Sequence, residues 1–194
     1  MKNLKSKKDY NSKLKLINKS LKRNPNDVKA LMQKITILKL KLEFAEALSI
    51  CNKVLMLEQK NWRVWYEKGN CLWTFQDYEC AMICYKKALR IYPQSVEVLS
   101  AMAALLSNIG KLKKALSYLD SAMKINPSNV FVLMNKVCLE ISLNMTKKAI
   151  FSIDRLLLTI KSKYLVDSND KYWKNQLKLW QIEKNKLKKK LQKT

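Results

Sequence analysis

Apolar side chains recur along the chain in steps of three and four residues. Between Trp62 and Ser95 they run through Trp65, Leu72 and Trp73, and again through Tyr78, Met82, Tyr85 and Leu89. That spacing places each set on one side of a helix and predicts two helices, with Gln76 and Asp77 separating them. No stretch alternates apolar and polar residues with period two between turn signals, so no strand is predicted.

The same pattern returns every 34 residues. Ala81 falls in register with Ala47, Ala115 and Ala149, and Tyr85 with Cys51, Leu119 and Ile153. Ala88 aligns with Val54, Ala122 and Leu156, Pro93 with Pro127 and Pro25, and Gly69 with Ile35, Ala103 and Val137. Four units beginning at Val28, Trp62, Val96 and Val130 follow one another with no insertion. Small residues at Gly69 and Ala81 fit the close crossing of two helices within a hairpin. Ala88 makes room for the next unit, and Pro93 ends the second helix.

The stretch WYEKGNCLWTFQDYECAMICYKKALRIYP (residues 65–93) resembles a tetratricopeptide repeat, with an aromatic, Gly69, Leu72, Tyr78, Ala81, Tyr85, Ala88 and Pro93 in that family's order and length. The unit from Val96 matches well and the unit from Val28 carries Gln59 in place of the proline. The unit from Val130 departs at Glu140, Thr146 and Leu156, as a terminal unit would. The resemblance covers residues 9–163 and implies an all-α, right-handed superhelical solenoid of helical hairpins. The expected division is a basic tail over 1–8, a partial repeat over 9–27, repeats over 28–61, 62–95 and 96–129, a degenerate terminal repeat over 130–166, and a basic amphipathic capping helix and tail over 167–194.

In this family the first helix of each unit lines a concave groove that holds a peptide or helix of another protein. Carried over by phase, the groove-facing places include Lys29, Met32, Gln33, Thr36 and Lys39 in the first unit. The second contributes Arg63, Tyr66, Glu67, Asn70, Trp73 and Thr74. The third contributes Glu97, Ser100, Ala101, Ala104 and Asn108, and the fourth Phe131, Met134, Asn135, Cys138 and Ser142. Arg63, Tyr66, Asn70, Trp73, Met134 and Asn135 are the expected peptide-binding set, because aromatic and Arg side chains are favoured as interface anchors. A competing use of Trp73 is packing between units. One subfamily clamps the terminal carboxylate of heat-shock chaperones with paired Lys/Asn, then Asn, then Lys/Arg on three successive first helices. The matching places here hold Met32 and Thr36, Glu67, then Glu97 and Ala101, or one unit later Tyr66 and Asn70, Ala101, then Phe131 and Asn135. Neither set suits a carboxylate, so no chaperone-type clamp is expected.

At the C-terminal end, Trp173, Leu177, Trp180, Leu187 and Leu191 form an apolar stripe in a lysine-rich helix that Ser168 or Asp170 would cap. Its first reading is a cover for the last apolar face of the repeat array. A Trp-bearing basic helix also suits an anionic membrane surface, and a lysine tail suits nucleic-acid phosphate. The terminal KLKKKLQKT is expected to be frayed and solvated.

Composition narrows the chemistry. The 194 residues hold only two Gly and three Pro, which favours helix, and 48% are hydrophobic, enough for a core. Net charge is +24, with both ends denser in charge than the middle, so nucleic acid or an anionic surface at the lysine-rich termini is the alternative partner class. Lys exceeds Arg 35 to 4, as an AT-rich genome would encode, and this discounts the charge as a functional signal. The basic start lacks an apolar run and a cleavage site, and no apolar stretch is long enough to span a membrane, so a cytoplasmic protein is expected. Five cysteines in a chain with no export signal argue against disulfides. With no His anywhere, His-based acid–base and triad catalysis is excluded. Two glycines cannot form a phosphate-binding loop. Cys71, Cys80 and Cys84 admit a Cys-only metal site, but the preferred reading is core filling. The carboxylate pairs Glu43/Glu46 and Asp77/Glu79 fall at helix starts, where they favour the helix dipole. The chain is therefore expected to be neither enzyme nor cofactor binder.

Overall fold

The computed structural model describes residues 2–164 and 170–192, and for residues 2–8 and Tyr164 the backbone only. Ser168, one of the two expected helix caps, lies outside the described residues. The described residues form ten α-helices and no strand: α1 (Lys2–Arg23), α2 (Val28–Leu40), α3 (Phe44–Leu57), α4 (Trp62–Thr74), α5 (Tyr78–Ile91), α6 (Val96–Asn108), α7 (Leu112–Ile125), α8 (Val130–Ser142), α9 (Thr146–Tyr164) and α10 (Lys171–Leu191). They divide into two compact units, Met1–Pro93 and Gln94–Thr194. In the first, each helix packs on the next in sequence from α1 to α5, and α2 also touches α4. In the second, α6 to α10 pack in the same serial order. No described helix is long and apolar enough to cross a membrane.

Local signals repeat with the 34-residue period. Asp27, Asn61, Ser95 and Asn129 cap α2, α4, α6 and α8, each accepting a backbone N–H three residues on, at 3.1–3.3 Å. Such a cap satisfies an otherwise unpaired donor and stabilises a helix by about 1 kcal/mol. The turn inside each hairpin also recurs. Leu42, Gln76, Gly110 and Asn144 all have positive φ, between 55° and 76°. The next residue's N–H then reaches back to the carbonyl of Leu38, Leu72, Leu106 or Glu140 at 2.8–3.1 Å. This is the left-handed helix end that favours Gly or Asn. The four turns close alike although only Gly110 and Asn144 are favoured residue types there.

The small-residue column lies where the hairpins close. Ala47, Ala81, Ala115 and Ala149 are fully buried, as are Val54, Ala88, Ala122 and Leu156 at the companion place. In the first unit, Leu31, Ile35, Cys51, Val54, Leu55 and Val64 form one core cluster joining α2, α3 and α4. Gly69 is small for a specific reason. A Cβ there would stand 2.5 Å from Cε1 of Tyr85, whose ring is fully buried.

The terminal helix packs on α9 and buries Trp173 and Leu187, while Leu177 and Trp180 are partly covered and Leu191 is exposed. Asp170 caps it, accepting the Tyr172 N–H at 2.8 Å, and Lys184 pairs with Asp154 of α9. Helix continues through Leu191, with Lys188, Lys189 and Lys190 of its last turn exposed to solvent and favouring the dipole, and Leu187 buried beneath them.

Glu140 departs from the repeat in a costly way. It occupies the place of Leu38, Leu72 and Leu106 and is 2% exposed. Lys136 Nζ lies 3.8 Å from one carboxylate oxygen, and the other has no hydrogen-bond partner among the described residues. Lys136 keeps a second partner, Asp120, at 2.5 Å. A buried, half-satisfied carboxylate is often replaceable by an aliphatic side chain with gain. Glu140→Leu is expected to stabilise the protein by about 1–4 kcal/mol in denaturant unfolding. Gly69→Ala, which forces Tyr85 to shift, is expected to destabilise it by about 1–3 kcal/mol in the same assay.

Candidate functional site

Arg63, Tyr66, Asn70 and Trp73 follow one another on α4 at helical spacing, and their surroundings differ. Arg63 is exposed, its guanidinium carbon 5.3 Å from the Trp62 ring centroid. Trp62 in turn stacks on Tyr92 at 5.0 Å. Tyr66 is half-buried, with its ring 6.1 Å from that of Tyr85. Trp73 is also half-buried.

Asn70 is the centre of a polar chain. Its side-chain oxygen accepts the Tyr85 hydroxyl at 2.8 Å, and its amide donates to Glu67 at 3.2 Å. Glu67 also pairs with Lys39 of α2. Burial pushes the Tyr85 phenol above its ordinary pKa, so it remains a hydrogen-bond donor. Lys39, Glu67, Asn70 and Tyr85 thus tie α2, α4 and α5 together on the face where Tyr66 stands. A shallow apolar cleft of about 450 Å³ opens between α1 and α2, where Leu16 is 69% exposed beside Ile17, Gln33, Thr36 and Ile37.

Met134 and Asn135 belong to the second unit, on α8. Asn135 lines a cleft of about 230 Å³ together with Ala104, Ser107 and Asn108 of α6 and Cys138 and Ser142 of α8. Met134 is half-buried and does not line it. Phe131 is 59% exposed and meets Trp173 of α10 edge-on at 6.0 Å. The six expected residues therefore fall as four on α4 and two on α8, with Tyr66 and Asn70 joined through Tyr85. Repeat phase pointed to Gln33, Thr36, Lys39 and Glu67 but missed Leu16, Ile37 and the Tyr85 hydroxyl. Tyr85 reads in the sequence as a core aromatic, and only its partner shows that its polar end serves the α4 face.

Two models of the tetratricopeptide repeat family match the sequence, over residues 63–95 and 84–117. A general transcriptional corepressor, trfA of Dictyostelium discoideum, is 30% identical over 74 residues. That match covers 38% of this chain and 5% of the corepressor, so the chain spans a small part of that relative's length. Among solved structures, MamA is similar in fold at a TM-score of 0.71 and 15% identity, covering 82% of this chain and 93% of MamA. YrrB, a TPR protein with an unusual peptide-binding site, is similar at a TM-score of 0.63 and 20% identity, covering 74% of each chain.

Core filling describes Cys71 and Cys84 but not Cys80, which lies at the surface on the outer side of α5. Cys51, Cys71 and Cys84 are buried, whereas Cys80 and Cys138 are exposed. A side-chain hydrogen bond with Cys71, together with burial, raises the Cys51 thiol well above its ordinary range. Burial pushes the Cys84 thiol up to about 11. Among the described residues no three His, Cys, Asp or Glu side chains gather as a metal site. A thiol must ionise and be reached to react. Titration of the folded protein with a thiol-specific disulfide reagent is expected to modify Cys80 and Cys138 first, more slowly than a free thiol, because a hydrogen bond with Asp77 raises the Cys80 thiol and partial burial raises that of Cys138. Cys51, Cys71 and Cys84 should follow only after denaturant is added.

Proposed function

The chain belongs to the tetratricopeptide repeat family, and from that premise we propose that it is a non-catalytic interaction scaffold whose first-helix faces hold a peptide or helix of a partner protein. The observation that carries this reading is the α2–α4 face. Lys39, Glu67, Asn70 and Tyr85 are already hydrogen-bonded to one another, and Tyr66 and Trp73 stand half-buried on the same helix. Side chains held in place before binding lose little entropy on binding, and Tyr and Trp supply large contact area for few rotatable bonds.

In the first unit Arg63, Tyr66, Asn70 and Trp73 make the contact, with Tyr66 and Trp73 as anchors and Asn70 presenting a polar group to the segment's backbone. The α1–α2 cleft with Leu16 extends the apolar surface available to an incoming side chain. In the second unit Met134 and Asn135 belong to the corresponding face of α8, where the cleft beside Asn135 has small and polar walls. A peptide is also the class of ligand for which YrrB, similar in fold, has a site.

Affinity capture from a native lysate tests the reading, at low and at near-molar salt, with nuclease in half the samples. The wild-type protein is expected to retain a discrete partner through both treatments. Tyr66→Ala with Trp73→Ala should reduce its capture at least about tenfold. Lys188→Gln, Lys189→Gln and Lys190→Gln together should leave it unchanged. Capture abolished by nuclease or salt, and lost in the lysine variant instead, would transfer the function to the lysine-rich ends.

A further inference from the structure

The first unit carries another concavity, built from different residues. The end of α3, the outer side of α4 and the end of α5 enclose an open cleft of about 790 Å³. Its apolar base includes Met56, which is 84% exposed, together with Ile91 and Trp65. Trp65 is fixed in place: its indole N–H donates to the Gln59 carbonyl at 2.9 Å. Four cations border this base, Lys60, Lys68, Lys87 and Arg90, and among the described residues no carboxylate lines the cleft.

Two of the cations attach to the base itself. Lys87 Nζ lies 4.3 Å and Lys68 Nζ 5.5 Å from the Trp65 ring centroid. Lys68 also donates to Asn52 at 2.7 Å. Among the described residues none of the four forms an ion pair. Positive charge is therefore held over apolar surface without a negative partner.

General lysine richness does not account for this cluster. One unit on, the places of Lys60, Lys68, Lys87 and Arg90 hold Gln94, Met102, Ser121 and Lys124. One unit back they hold Asn26, Lys34, Lys53 and Met56, and two units on Ser128, Lys136, Arg155 and Leu158. All four places are cationic in this frame alone.

We propose that this cleft is a second docking site, independent of the α2–α4 face, for an acidic segment of a partner protein that carries a large apolar side chain. The apolar side chain seats against Met56 and Ile91, where a flexible thioether adapts to its shape. Its flanking carboxylates meet Lys60, Lys68, Lys87 and Arg90, so charge complementarity sets its orientation. A nucleic-acid strand fits less well, because base stacking needs an open aromatic face and ammonium groups lie over Trp65.

Fluorescence anisotropy with labelled peptides tests the proposal. One pool has glutamates around a randomised Leu, Met or Phe, a second has Ser at that position, and a third probe is an oligo-dT strand. The first pool is expected to bind, and the Ser pool at least about tenfold more weakly. Lys87→Glu with Arg90→Glu, both at exposed positions, should weaken the first pool at least about tenfold. Tyr66→Ala with Trp73→Ala should leave it within about twofold. No binding by the first pool, or equal binding of both pools, would overturn the proposal. So would retention by the charge-reversal variant, and so would tighter binding of oligo-dT that the same variant abolishes. Loss in the Tyr66/Trp73 variant alone would return this peptide to the α2–α4 face.

Discussion

Ala47, Ala81, Ala115 and Ala149 are each fully buried on the second helix of a hairpin, α3, α5, α7 and α9 in turn. Two helices approach most closely where one of them presents little more than a methyl group. Everything else follows from meeting that condition every 34 residues. The caps at Asp27, Asn61, Ser95 and Asn129 start the first helices in register with it. The left-handed turns at Leu42, Gln76, Gly110 and Asn144 return the chain at the same point of each cycle. Leu42 and Gln76 adopt positive φ without being glycine because the hairpin around them demands that geometry, at a local cost of about 1–2 kcal/mol each.

Close packing also decides where polar groups end up. Gly69 admits the Tyr85 ring, and the depth of that ring brings its hydroxyl to Asn70. The same core contact that holds α5 on α4 therefore orders the α4 face through Asn70 and Glu67. A substitution at Gly69 would disturb stability and the order of the α4 face together, although Gly69 itself is buried. In the second unit the corresponding accommodation is less complete. Glu140 sits in a leucine's place with one oxygen unpartnered among the described residues, and Lys136 is divided between it and Asp120.

The positive charge has two characters. Much of it is spread over the ends, as at Lys188, Lys189 and Lys190, where it favours the last turn of α10 and stays exposed. Around Trp65 it is concentrated and held against apolar surface. Only the second arrangement combines charge with shape, and that combination discriminates among anionic partners where charge alone does not.

The repeat, its phase and the helix starts at Val28, Trp62, Val96 and Val130 were all legible in the sequence, because burial at fixed intervals imposes a period that residue types must obey. The buried role of the alanines, the packing of the tryptophan-bearing terminal helix and the absence of catalytic histidine chemistry were legible for the same local reasons. Which residues share the α4 face could be read from helical spacing. Their partners could not: that Asn70 receives the Tyr85 hydroxyl, that Glu67 meets Lys39 across two helices, and that Leu16 opens a cleft beside Ile37 depend on how far each helix approaches its neighbour. The cluster around Trp65 draws Met56, Lys68 and Arg90 from three helices. No pattern along the chain marks them as one surface, since side-chain direction and interhelical distance bring them together only in the folded unit.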